Sequence, residues 1–333
     1  MRLRRGADWR HGLVILGASS NFQPSILPSI QSPLGALPAR FRRQRVLIVG
    51  CGDVGMRLAR DLLPMVRVLA LTSSRDRVGE FRSKGIAPLI GDLDCRDSLR
   101  RLAGVAHRVV YLAPPPAEGE RDGRAVNFVQ AMRRRSLPHA IVYGSTSGVY
   151  GDCQGVHIDE TWAFNARTTR ALRRVHAEQV MRFWGRSSGV RSSVLRIPGI
   201  YAANRDGGAP RARITRGTPV LRAEDDVFTN HIHADDLARA CWLACWRGRP
   251  QRAYNINDDT SLLMGDYIDL AADIYGLQRP QRISRLQAEQ QLSPMLLSFM
   301  GESRRMVNRR MKSELRLQLR YPTVAEGLRQ ALG

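Results

Sequence analysis

The sequence predicts an α/β protein: a doubly wound parallel sheet joined to a smaller, mostly helical C-terminal lobe. Three observations carry that expectation. From about residue 44 to residue 198 short apolar runs alternate with helix-period stretches, the rhythm of successive βαβ units whose right-handed crossovers fix the topology. The first apolar run enters a glycine-rich turn directly, Val46-Leu47-Ile48-Val49-Gly50-Cys51-Gly52-Asp53-Val54-Gly55. Beyond residue 200 the alternation loosens, and 259–333 reads as helices interrupted at Pro280, Pro294 and Pro322, because a ring without an N–H ends or kinks a helix.

In chain order, strand 45–50 ends at the glycine turn, from which helix 54–63 starts. Strand 66–71 stops at Thr72-Ser73-Ser74, and helix 76–84 follows. Strand 87–90 leads into Asp92-Leu93 and a helix over 96–103; strand 108–113 runs into Pro114, Pro115 and Pro116. Helix 120–135 closes on Arg133-Arg134-Arg135, positive charge suited to the negative end of a helix dipole. Strand 139–144, helix 166–186 and strand 192–197 complete the series. The expected domains are a sheet domain of 44–198 plus 227–258, and a lobe of 199–226 plus 259–333. Residues 1–43, rich in arginine and proline without periodicity, read as a disordered or extra extension.

The chain has 333 residues and a formal charge of +22, and only two of its 52 basic residues, Lys84 and Lys312, are lysines. The arginines do not gather into one patch, and no helix-turn-helix, zinc-finger or RNA-recognition signature accompanies them, so a nucleic-acid partner is not expected. Cys51, Cys95, Cys153, Cys241 and Cys245 are odd in number and lack a CxxC pair, which argues against disulfides and zinc and suits a reducing cytoplasm. No run approaches the roughly 20 apolar residues of a membrane span. His231, His233, Asp235 and Asp236 have the chemistry of metal ligands, yet alternation puts both histidines on one strand face and both acids at a helix start. A packed, capped joint accounts for them, and no metal is expected.

Gly50, Gly52 and Gly55 form GxGxxG between a strand and a helix, the context in which the motif binds a dinucleotide. Gly50 permits the tight turn, Gly52 lets backbone approach a pyrophosphate, and Gly55 allows close helix packing, while the helix N-terminus attracts the anion. At the end of the second strand an acid would hold a free ribose diol. Thr72, Ser73 and Arg75 stand there instead, and a guanidinium suits a 2′-phosphate, so NADP is favoured over NAD.

These segments resemble the extended short-chain dehydrogenases/reductases of the NAD-dependent epimerase/dehydratase group, from about residue 44 to the C-terminus. The resemblance implies a Rossmann fold. It makes Asp92-Leu93 similar to an adenine-contacting pair, and Ala113-Pro114 similar to the loop beneath the cofactor. It implies that Pro198, Gly199 and Ile200 pass the nicotinamide. Gly144-Ser145-Thr146-Ser147-Gly148-Val149-Tyr150-Gly151 resembles the active-site strand end, with Thr146 as the substrate-polarising hydroxyl. The family's catalytic Tyr-x-x-x-Lys, aligned on Glu178, falls on Arg170 and Arg174.

Arginine keeps its proton near neutral pH, so neither residue serves as a general acid or base. They either grip a phosphate or carboxylate, or form a solvated basic face; Arg174 alone could cover the nicotinamide ribose. Tyr150, and after it Tyr201, are the substitute proton donors. Two functions remain open. One is a cytoplasmic NAD(P)-dependent oxidoreductase or epimerase-like enzyme acting on a carbonyl or sugar-nucleotide-like small molecule. The other is a non-catalytic NADP-binding redox sensor. Helices 120–135 and 166–186 are the candidate faces for a homodimer.

Overall fold

The apolar runs become strands β1 (Arg45–Val49), β2 (Arg67–Thr72), β3 (Ala87–Ile90), β4 (Arg108–Tyr111), β5 (Ala140–Thr146) and β6 (Arg191–Ile197), joined by an unexpected seventh, β7 (Arg252–Asn255). The computed structural model describes residues 43–205 and 210–330, so all of the expected N-terminal extension except Arg43 lies outside the described residues. All seven strands are parallel, in the order β7-β6-β5-β4-β1-β2-β3. The order reverses between β1 and β4, and a crevice for ligands opens at the carboxyl ends of strands at such a switch point.

Each strand residue faces alternately to one side or the other, and here both sides are covered. Val46 and Ile48 pack with Leu58 and Leu62 of helix α1 (Asp53–Leu62), and with Leu237, Cys241 and Cys245 of the later helix Ala234–Arg247. Leu47 and Val49 face Phe128 and Met132 of helix α3 (Gly123–Met132), and Met181 and Trp184 of helix α4 (Thr169–Ser188). Helix α2 (Arg77–Ser83) follows β2. The helix Ala234–Arg247 is α5 below.

Three expectations change in detail. Residues Arg96–Leu102 wind as a 3₁₀ helix. Helix α3 is shorter than 120–135, because the Asp122 carboxylate accepts the Ala125 N–H at 2.9 Å and fixes the start, and Arg133 caps the end. The arginine run therefore lies just past the helix. Strand β7 was hidden by its brevity and its polar ends, although Tyr254 and Asn255 are fully buried beside β6.

Beyond β6 the chain is stitched to itself by two- and three-residue ladders, 199–201 with 231–233, 220–221 with 282–283 and 228–229 with 262–263, and 305–306 pairs back to 157–158, ahead of α4. Helix α6 (Met264–Tyr275) centres a separate apolar cluster with Tyr201, Ile214, Val220 and Leu328. Pro294 starts a helix, Pro294–Phe299, rather than breaking one, since proline suits the first helical position. Met311, Leu315 and Leu317 return to the core under α1 and α5. Among the described residues no helix is long and apolar enough to cross a membrane, and all five cysteines are free.

Candidate functional site

The glycine loop has the shape its sequence promised. Gly50 has φ +83°, and a Cβ there would lie 2.3 Å from the Ala113 nitrogen and 2.6 Å from its Cα, so only glycine fits between β1 and the loop after β4. Gly55 sits 3.2 Å from the Gly50 oxygen and 3.3 Å from the Ile48 side chain by the same measure. Gly52 is different: a Cβ there would meet nothing within 4 Å. It is the N-cap residue of α1 and has no side chain to cap the first N–H groups. Open space in front of uncapped helix amides is a cradle of the size and polarity that a pyrophosphate fills.

That space is part of a cleft of about 320 Å³, lined by Gly50, Gly52, Asp53, Val54 and Gly55 on one side and by Thr146, Arg174, Pro198 and Ile200 on the other. Asp53 pairs with Arg57 at 3.1 Å and with Arg205 at 3.2 Å. Arg57 also holds Asp235 at 2.7 Å and Asn204 at 2.6 Å. Asp235 thus belongs to the clamp joining α1 to α5. Cys51 turns inward, its thiol pushed up to about 11 by burial, while its carbonyl accepts a 2.8 Å hydrogen bond from Arg77.

Arg77 escaped the sequence reading. It also pairs with Glu80 and lies over the Phe81 ring, linking the start of α2 to the glycine loop. Of the residues expected near the adenosine, Thr72 is buried and shares its hydroxyl with the Ser74 backbone at 3.2 Å; Ser73 and Arg75 are exposed. Asp92 is exposed and caps its own turn by accepting the Asp94 N–H, and Leu93 gives its carbonyl to Asn127. Ala113 is buried against Gly50, and Pro114 opens the loop toward the second cavity.

The second cavity, about 750 Å³, is continuous in its lining with the first, because Thr146, Arg174, Pro198 and Ile200 border both. Thr146 caps the turn after β5 by accepting the Gly148 N–H at 3.3 Å. Arg174 reaches from α4 to the Gly144 carbonyl at 2.9 Å, the Tyr143 hydroxyl at 3.2 Å and the Ala113 carbonyl at 3.4 Å. Burial pushes the Tyr143 phenol far up despite this guanidinium. Arg170, one turn earlier, is exposed at the rim of the larger cavity, its guanidinium 4.6 Å over the Phe299 ring. Arg173, between them, is buried and fastens the proline loop through the Ala117 and Gly119 carbonyls, both at 2.8 Å.

Tyr150 stands apart from the residues expected beside it. It is fully buried and lines neither cavity. Its hydroxyl donates to the Asn255 side chain at 2.6 Å and accepts from Arg196 at 2.9 Å, and burial raises its phenol to about 12. Arg196 in turn grips Glu178 at 3.0 Å, and Ser145 donates to the same carboxylate at 2.6 Å. The phenol therefore belongs to a strut tying β5, α4, β6 and β7 together. Tyr201 does line the larger cavity, but its hydroxyl donates to the Thr323 carbonyl and lies beside the buried Asp258 carboxyl.

Two of the cavity residues, Arg213 and Tyr267, carried no sequence signal. Arg213, on the short helix Arg211–Thr215, lines the cavity with only a 3.5 Å contact to the Pro219 carbonyl and one to the Met264 sulfur. Burial lowers its pKa, and no carboxylate among the described residues pairs with it. Arg170, Arg173 and Arg174 likewise have no ion-pair partner among the described residues. The acid in the lining, Glu302, is already paired with Arg304. His231 and Tyr267 complete this wall, with ring centroids 4.0 Å apart. His233, on the same strand face, instead caps α5 by accepting the Asp235 N–H. Among the described residues no cluster of three or more His, Cys, Asp or Glu is placed to hold a metal ion.

The fold is shared with solved structures. A functionally unknown conserved protein from Silicibacter pomeroyi is 27% identical, covering 86% of this chain and 98% of its own, with a TM-score of 0.72. UDP-glucose 4-epimerase from Thermotoga maritima, solved with UDP-glucose, is 16% identical over 86% and 97%, with a TM-score of 0.71. dTDP-glucose 4,6-dehydratase from Bacillus anthracis, in complex with NAD, is 13% identical over 87% and 95%, with a TM-score of 0.70. Comparison with curated proteins returns no match. Residues 46–257 match the sequence pattern of a single family, and with the glycine loop, the strand order and the paired cavities this places the chain in the NAD dependent epimerase/dehydratase family.

Proposed function

We propose that the chain is a nicotinamide-dependent oxidoreductase or epimerase-like enzyme whose substrate is an anionic, sugar-nucleotide-like small molecule. The observation that carries this reading is the shared border of the two cavities: Thr146, Arg174, Pro198 and Ile200 touch both, which is where a cofactor and a substrate would meet. A bound nicotinamide would accept or donate hydride there. The uncapped N-terminus of α1 would hold its pyrophosphate. Thr146 would donate a hydrogen bond to the substrate oxygen, and Arg174, held by three oxygens, would keep a fixed positive charge beside the reacting atoms.

Arg170 and Arg213 face the larger cavity without ion pairs among the described residues, so an anionic substrate would supply a counter-charge. The Thermotoga epimerase binds a nucleoside diphosphate sugar in the same fold, and such a ligand carries the needed charge. NADP is the better fit to the end of β2, where Ser73 and Arg75 are free at the surface and Arg77 bridges to the glycine loop. We assign 44–198 with 227–258 to cofactor binding and 199–226 with 259–333 to the substrate. For assembly we assign the outer face of α3 and α4, where Phe183 is 62% exposed beside a groove lined by Val126, Val129 and Val180.

A second reading is a nucleotide-binding module without turnover. It follows from the alignment on Glu178, which would put Arg170 and Arg174 in place of the proton relay, and it is favoured by one observation: the phenol that Arg174 bonds, Tyr143, is buried with its proton held tightly. Steady-state loss of NADPH absorbance with a panel of UDP- and dTDP-linked 4-keto sugars would support the enzyme. Tight NADPH binding with no hydride loss across that panel and no epimer of the sugar formed would favour the module.

A further inference from the structure

His231 is a polar group on the cavity wall whose ring nitrogens no hydrogen bond among the described residues holds. Its neighbour on the same strand face, His233, has a partner for its Nδ1 in the Asp235 N–H and meets Tyr321 at a tilt with ring centroids 4.0 Å apart, only its Nε2 being unpartnered among the described residues. His231 is 6% exposed, stacks on Tyr267 at 4.0 Å and meets Tyr201 edge-on at 6.3 Å. Its Nδ1 is sealed from solvent without a hydrogen-bond partner, and among the described residues nothing bonds either ring nitrogen. A phenylalanine would fill the same slot without burying an unsatisfied nitrogen.

The Cδ2–Nε2 edge of the ring lies against Gly199, which also lines the cavity. A Cβ on Gly199 would sit 3.2 Å from Cδ2 and 3.8 Å from Nε2. Glycine at 199, paired in register with His231, therefore leaves this edge uncovered. On its other side Tyr267 connects the imidazole to the unpaired Arg213, whose charge it feels. We propose that His231 is a substrate-reading residue of the larger cavity, its Nε2 hydrogen-bonding a hydroxyl or carbonyl oxygen of the bound small molecule while Tyr267 fixes the plane of the ring.

The proposal rests on the assignment of this cavity to the substrate. It adds a reason for the residue type. Burial holds the imidazole pKa down to about 3, so the ring stays uncharged at neutral pH, and an uncharged ring can donate or accept one hydrogen bond without adding to the arginine charge around it. Its function would be to discriminate, since a buried group left unpaired by the wrong ligand penalises that ligand.

The test is calorimetry on the full chain saturated with NADPH, using UDP-glucose and UDP as probes. His231→Phe is expected to keep the wild-type melting temperature or raise it, to bind NADPH unchanged, and to bind UDP-glucose about tenfold more weakly. His231→Gln, which restores a donor and an acceptor, should recover part of that loss. Gly199→Ala, which covers the Nε2 edge, should weaken the probe with His231 intact. Unchanged UDP-glucose affinity in His231→Phe would overturn the proposal alone. NADPH binding with neither probe bound by the wild-type chain would overturn both the substrate assignment and the proposal. Failure to bind NADPH would remove the functional reading itself.

Discussion

The sheet side of the crevice buries Arg196 and the larger cavity half-buries Arg213, and the two are treated in opposite ways. Arg196, 2% exposed, is held by the Glu178 carboxylate and the Tyr150 hydroxyl, and Glu178 takes a further bond from Ser145. Arg213 and His231 have no such company among the described residues. A buried charge with its partner is part of the frame; a buried polar group without one destabilises the free protein and is stabilised when a ligand supplies the partner. Substitution in the frame should therefore cost stability, and substitution in the cavity should cost binding.

The largest expected effect is at Gly50. Gly50→Val places side-chain atoms inside the Ala113 backbone at a positive φ, and it should lose at least about 4 kcal/mol of unfolding free energy or fail to fold, read by urea denaturation. Glu178→Leu should cost about 3–5 kcal/mol, because Arg196 is left charged in the interior, while Glu178→Leu with Arg196→Met should recover most of that loss. Full stability of the single variant would break the distinction between the two regions.

Next in size is a pH effect. Asp258 is 1% exposed, its Oδ2 has no hydrogen-bond partner among the described residues, and burial raises its pKa from 3.8 to about 7. A carboxyl whose folded pKa is raised contributes stability below its unfolded pKa and loses it as pH rises through the folded value. Wild type should therefore lose roughly 2–4 kcal/mol relative to Asp258→Asn between pH 4 and pH 7, then hold a constant gap. Parallel denaturation curves for the two proteins across this range would contradict the burial argument. The smallest stability effect is at Arg213: Arg213→Met should change unfolding free energy by no more than about 1 kcal/mol while weakening UDP by about tenfold.

Legibility in the sequence follows the same division. The glycine loop was readable because strand, turn and helix are contiguous, so each glycine's task depends on near neighbours in the chain. Glu178 fixed the frame in which Arg174 falls at the border of both cavities. Tyr150 was misplaced because its partner, Asn255, lies 105 residues away, on a strand too short to show a pattern; nothing local distinguishes a phenol pointing into the cleft from one pointing into the core. The wall of Arg213, His231 and Tyr267 comes from a short helix, a three-residue strand and α6, and no spacing links them. Arg77 lay two residues past the expected Arg75, beyond the reach of a rule that looks only at the end of the second strand.

The central claim is that the open space at Gly52 receives a nicotinamide dinucleotide. Gly52→Val tests it most directly, because a Cβ there would meet no protein atom within 4 Å. Fluorescence titration with NADPH, paired with thermal unfolding, should show an unchanged fold and a loss of NADPH binding of at least about 100-fold. Wild-type affinity in a folded Gly52→Val protein would show that the cofactor does not lie on this loop.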